Sequence, residues 1–146
     1  MDEINIGFIG YSNTSFDIEK AKSIIYDIFD VIENKYCNEE NLETKINIIS
    51  GATDIGIPSL VYNVADNENL KYGKWFTLVG IMAKEGYKYP LYPCDKIYAV
   101  GEHFGEESEF FLNKLNALYK IGGGKQSDKE SELAKRKGIV VYEYSL

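Results

Sequence analysis

Apolar residues along this chain fall into two alternating rhythms: short unbroken runs, and longer stretches in which every third or fourth position is apolar. Ile4 to Gly10 is a continuous apolar run with β-branched residues, which predicts a strand covered on both faces. Tyr11-Ser12-Asn13-Thr14-Ser15 then supplies turn chemistry. Ile18, Ala21, Ile25, Ile28, Phe29 and Ile32 follow at helical spacing, with Ser15 or Asp17 placed to cap the amino end. The unit repeats: Ile46 to Ile49 predicts a strand, Ser50 to Gly56 a loop of small residues, and Ile57, Leu60, Val61, Val64 and Ala65 a helical stripe with Pro58 in its first turn.

Further strands are predicted at Trp75 to Ile81, Lys96 to Val100, Ala117 to Ile121 and Ile139 to Tyr144. Between the first two lies the irregular Lys84 to Cys94 segment, whose Tyr87, Tyr89 and Tyr92 suit a sheet edge or a subunit contact. A short helix through Leu112 follows the acidic stretch Glu102 to Glu109, and a charged helix spans Asp128 to Lys137, closed by Gly138. Strands alternating with helices predict a Rossmann-like, doubly wound α/β fold: a mainly parallel sheet of five to six strands with helices on both faces. No linker, repeat or low-complexity segment divides residues 1–146, so a single domain is expected.

Composition narrows the function. With 45% apolar residues spread along 146 positions, the chain can bury a core, and disorder is excluded as its general state. A net charge of −7 argues against a duplex nucleic acid partner, because such binding rests on basic residues displacing counterions. It leaves room for a small anion held by backbone amides and helix amino termini. Arg136 is the sole arginine, so bidentate guanidinium recognition of phosphate is almost unavailable. The MDEINIGFIG start is acidic where a signal peptide is basic, and no apolar stretch approaches a membrane span; a cytoplasmic protein with no membrane partner is expected. Cys37 and Cys94 stand apart from each other and from any CxxC partner, which reads as two reduced thiols.

Ligands of such sheets bind beyond the carboxyl ends of the strands, which singles out three loops. Gly10-Tyr11-Ser12 follows the first strand and Ser50-Gly51-Ala52-Thr53 the second, joining glycine, for close backbone approach, to hydroxyl donors. Either loop alone reads equally as a tight turn. Gly122-Gly123-Gly124-Lys125-Gln126-Ser127 sits between a strand and a helix, where an anion meets free amides, a helix dipole and the Lys125 ammonium. Neither GxxxxGK[ST] nor GxGxxG is present. His103, the sole histidine, lies in Glu102-His103-Phe104-Gly105-Glu106-Glu107 after the fourth strand, where it reads either as a phosphate contact or acid–base group or as a surface residue without a role. A metal site there lacks a second histidine or a recognised spacing, and neither metal nor cofactor is expected. Glu106, Glu107 and Glu109 load a helix amino terminus with the favoured charge, and Tyr11 and Phe104 offer rings on which a base could stack.

The order of Gly10 and Ser12, then Ser50-Gly51-Ala52, then Gly123-Gly124-Lys125-Gln126-Ser127-Asp128-Lys129-Glu130 resembles the SLOG superfamily. That superfamily includes the LOG (lysine decarboxylase-like) cytokinin-activating phosphoribohydrolases, DprA-like proteins and sensor domains for ADP-ribose-derived signals. Against the LOG pattern GGxGTxxE, Gly123 and Gly124 match the first pair, Ser127 stands for threonine and Glu130 matches the glutamate. Gln126 replaces the third glycine. The resemblance implies that Glu130 is the catalytic carboxylate of an N-glycosidase, but the LOG arginine partner has no counterpart in Glu107 to Lys114. It therefore implies binding of a nucleotide, or of an ADP-ribose or cyclic-nucleotide signal, more firmly than hydrolysis of a nucleoside monophosphate. Because related domains pair, a homodimer is expected.

Overall fold

The computed structural model describes residues 2–146. Six strands, β1 (Glu3–Gly10), β2 (Lys45–Ser50), β3 (Phe76–Met82), β4 (Lys96–Ala99), β5 (Ala117–Ile121) and β6 (Val140–Tyr144), form one sheet in the order β4-β3-β2-β1-β5-β6. Every pairing is parallel. Four helices connect them: α1 (Ile18–Tyr36), α2 (Gly56–Tyr72), α3 (Ser108–Leu112) and α4 (Lys125–Arg136). The Rossmann-like α/β architecture expected from the strand and helix rhythm is present.

Strand side chains alternate between two cores, as the period of two requires. Ile6, Phe8, Ile46, Ile48, Phe76 and Leu78 pack with Ile25, Ile28 and Phe29 of α1 and Val61 and Ala65 of α2. Ile9, Ile49, Val79 and Ile81 face the other way, against Phe111 and Leu112 of α3 and Ala134 of α4. The first core is the aromatic one, with Phe8 stacked on Phe29 at 5.8 Å and on Tyr119 at 5.4 Å.

One boundary and one segment differ from expectation. α4 begins at Lys125, not Asp128, so Lys125, Gln126 and Ser127 form its first turn instead of a loop. The Lys84 to Cys94 segment also differs, because Tyr92 is buried and its ring packs on Tyr62 at 5.1 Å. Tyr92 N–H donates to the Ala52 carbonyl and Asp54 N–H to the Pro90 carbonyl, each at 2.9 Å, so this segment braces the loop after β2. Tyr87 and Tyr89 remain exposed. Among the described residues no helix is long and apolar enough to cross a membrane.

Candidate functional site

The chain winds outward from β1 in both directions, so the winding reverses between β1 and β5 and a crevice opens beyond their carboxyl ends. Register brings the ends together: Gly10 lies opposite Ile121, and Gly7 opposite Ile49 near the end of β2. A cleft of about 180 Å³ occupies this crevice. It is lined by Gly10, Tyr11 and Ser12 from the first loop, by Gly51, Ala52 and Thr53 from the second, and by Gly123, Gly124, Lys125, Gln126, Ser127 and Glu130. Three segments separated by up to about 120 residues in sequence thus converge on one space.

Close packing holds the loops in place. A Cβ on Gly10 would collide with the Ile121 carbonyl and with Ile57, so glycine is what lets β1 end tightly against β5 and α2. The Ser50 hydroxyl donates to the Phe8 carbonyl at 2.7 Å, and the Ser127 hydroxyl to the Gly10 carbonyl at 3.0 Å. The second bond fastens the start of α4 to the end of β1. Tyr11 stacks on Phe16 at 5.6 Å and lies where a side chain on Gly122 would fall.

The amino end of α4 carries no side-chain cap; its N-cap is Gly124, at φ 140°. Its first backbone bond runs from Asp128 N–H to the Gly124 carbonyl at 2.9 Å, so the amides of Lys125, Gln126 and Ser127 have no intrahelical acceptor. α1 is finished differently, with Asp17 accepting from Lys20 N–H at 3.1 Å. A 12-residue helix thus directs uncapped amides and the positive end of its dipole at the cleft, the arrangement that binds anions.

A pair of buried carboxyls stands one turn further along. Glu130 on α4 accepts from the Ser108 hydroxyl at 2.8 Å, and Glu107, just before α3, accepts from Gly105 N–H at 2.7 Å. Gln126 bridges them, its amide donating to Glu107 at 3.3 Å and to Glu130 at 3.4 Å. Burial pushes the Glu130 carboxyl up to about 7, with the donors from Ser108 and Gln126 pulling it down and the charge of Glu107 pushing it further up. A carboxyl poised near neutrality can accept from or donate to a ligand hydroxyl.

Gly122 and His103 lie outside this lining. Gly122 lines a neighbouring cavity with Tyr11 and Lys120, and its φ of 72° makes the turn out of β5. His103 is exposed on its loop, whereas Phe104 beside it lines the cleft. The segment after the fourth strand does reach the cleft, through Phe104 and Glu107; Glu107, expected by itself as favourable charge at a helix start, is a buried cleft residue. Phe8, Asn13, Met82 and Phe111 also line the cleft without having been singled out, and nothing in their local sequence marks them. Arg136 ends α4 and does not line it.

No family model matches the chain, and no curated protein matches it. Solved structures do. The X-ray structure of TM1055, a structural-genomics target, superposes with a TM-score of 0.64 at 20% identity over 97% of this chain and 72% of that one. The molybdenum cofactor carrier protein of Chlamydomonas reinhardtii superposes with a TM-score of 0.62 at 14% identity over 97% of this chain and 76% of that one. At these identities the similarity establishes a shared Rossmann-like fold.

Proposed function

We propose that this protein binds a nucleotide or nucleotide-derived ligand, such as an ADP-ribose or cyclic-nucleotide species, and acts as a sensor or sequestering module. The ligand phosphate sits against the free amides of Lys125, Gln126 and Ser127, with the Lys125 ammonium adding a charge-assisted bond. Hydroxyls of the sugar meet Glu130 and Glu107. The observation that carries this reading is the uncapped start of α4 opening into the same cleft as the bridged carboxyl pair. The SLOG-like order of loops supports it, as does the carrier role named for one structural neighbour, which puts the molybdenum cofactor beside nucleotides in the ligand panel.

One observation favours hydrolysis of a nucleoside monophosphate as a second reading. A carboxyl raised to about 7 is matched to general acid–base work, and Glu130 would protonate a leaving base or stabilise a developing oxocarbenium ion. Against it, no arginine lines the cleft to supply the positive partner. Incubating the protein with the panel and separating bound from free material by chromatography decides between them. Intact ligand released on heating supports the binder. Free base with ribose phosphate supports the hydrolase, and neither retention nor cleavage of any compound sinks both. Pairing into a homodimer through exposed apolar residues such as Tyr87, Tyr89 and Tyr142 belongs to the same proposal. Light scattering that gives a mass near 16.6 kDa at micromolar concentration would overturn that pairing.

A further inference from the structure

Away from the cleft, Asp30 and Glu33 on α1 and Glu68 on α2 bring three carboxylates together where the helices pack, each offering an oxygen within 4.8 Å of the others. Acidic clusters on surfaces are common, but this one runs inward from exposed Asp30 through half-buried Glu33 to buried Glu68. Glu68 is only 4% exposed, and its Oε2 accepts no hydrogen bond from any described residue. Glu33 Oε2 is likewise buried and unpartnered. A buried carboxylate without a donor costs several kcal/mol in general, and buried charges in proteins are paired or coordinate a metal.

The helices worsen the imbalance. All three residues lie in the last two turns of α1 and α2, where the dipole presents partial negative charge and favours cations over carboxylates. The charged groups that face Glu33 are Asp30 on its own helix and Glu68 and Lys71 on α2, so one exposed lysine stands against three acids.

We infer that Asp30, Glu33 and Glu68 form a binding site for a hard divalent cation, of the Ca²⁺ or Mg²⁺ class, that clamps the carboxyl ends of α1 and α2. The donor set is all oxygen, which such ions select over thiol and imidazole. Oxygens around one ion stand no further apart than twice the bond length, about 4.8 Å for the ~2.4 Å of a Ca²⁺–oxygen bond, and the three carboxylate oxygens lie within that limit of one another. Mg²⁺, at ~2.1 Å, sets a tighter limit of about 4.2 Å. Asp30 is exposed and supplies the entry path and an open side for water ligands.

A proton shared between Glu33 and Glu68 would relieve the same repulsion without a metal, and the test separates the two. Protein stripped with a chelator is melted at pH 8 with and without 5 mM CaCl₂, MgCl₂ or MnCl₂, alongside Asp30→Asn and Glu68→Gln. Asp30 is exposed, so its variant keeps the fold even if Glu68→Gln does not. The expected result is a rise in melting temperature of roughly 5–10 °C for the parent with Ca²⁺ at a hundredfold excess over Kd, reduced by at least half in Asp30→Asn and absent in a folded Glu68→Gln. No metal-dependent rise in the parent, with melting temperature responding only to lowered pH, assigns the site to a shared proton and overturns the inference. An equal rise in Asp30→Asn places the metal elsewhere and overturns it as well.

Discussion

Two groups of carboxylates stand in different parts of this fold, and burial pushes one member of each up to about 7. In the cleft, Glu130 and Glu107 are supplied with donors: the Ser108 hydroxyl, the Gly105 amide and the Gln126 side chain. Between α1 and α2, Glu33 and Glu68 each leave a buried oxygen with no donor. Burial is the largest cause of the raised pKa in both places, so the pKa does not tell them apart. The donors do. Groups held by three hydrogen-bond donors are oriented in advance for a ligand hydroxyl, whereas groups with none call for a counter-ion or a proton.

The largest expected effect breaks this comparison by sign. In chelator, Glu68→Leu removes an uncompensated buried charge and raises stability by about 1–3 kcal/mol. Glu130→Leu strips the Ser108 hydroxyl and the Gln126 amide of their acceptor and lowers stability by about 1–3 kcal/mol. Urea denaturation of the two variants beside the parent checks this, and shifts in the same direction would dissolve the distinction.

Acidity sharpens it. The Glu130 carboxyl has an ordinary value of 4.5 and stands near 7 in the folded protein, so the folded state holds an extra proton between those values. Its contribution is fully present below about 4.5 and is lost as pH rises to about 7, by up to about 3 kcal/mol. Glu33 shifts in the same direction. Urea midpoints should therefore rise as pH falls from 8 to 5, and Glu130→Gln and Glu33→Gln should each flatten the rise. A midpoint that falls over this range contradicts both assignments.

How much of this was legible in the sequence depends on the range of the interaction. β5, at Ala117 to Ile121, lies where its apolar run places it, because a largely buried strand is written locally. α4 starts three residues before the expected Asp128, because the helix opens on a glycine with no side-chain cap and carries no acidic opener to mark its start. Those missing cap signals are themselves what leaves the amides free. Convergence of the three glycine-bearing loops followed from the general rule for parallel sheets. The same rule points the segment holding Glu107 toward the cleft, but not its pairing with Glu130, which depends on the packing of α3 beside α4. The Asp30, Glu33 and Glu68 group was equally hidden, since helical spacing brings Asp30 near Glu33 but neither of them near Glu68, at least 35 positions later.

The central claim is that a ligand phosphate rests on the first turn of α4, and Gly123→Val tests it most directly. Gly123 lines the cleft, and a Cβ there meets nothing closer than Asp128 Oδ1 at 3.6 Å, so the variant should fold, unlike one at Gly124 with its φ of 140°. Calorimetric titration is run on the parent, Gly123→Val and Lys125→Ala with the tightest compound of the panel, after circular dichroism has matched their spectra. Lys125→Ala should lose a charge-assisted bond of about 1.5–3 kcal/mol, roughly tenfold or more in affinity, and Gly123→Val should lose at least as much by blocking the phosphate from the amides. Parental affinity in both folded variants would place the phosphate elsewhere and contradict the account.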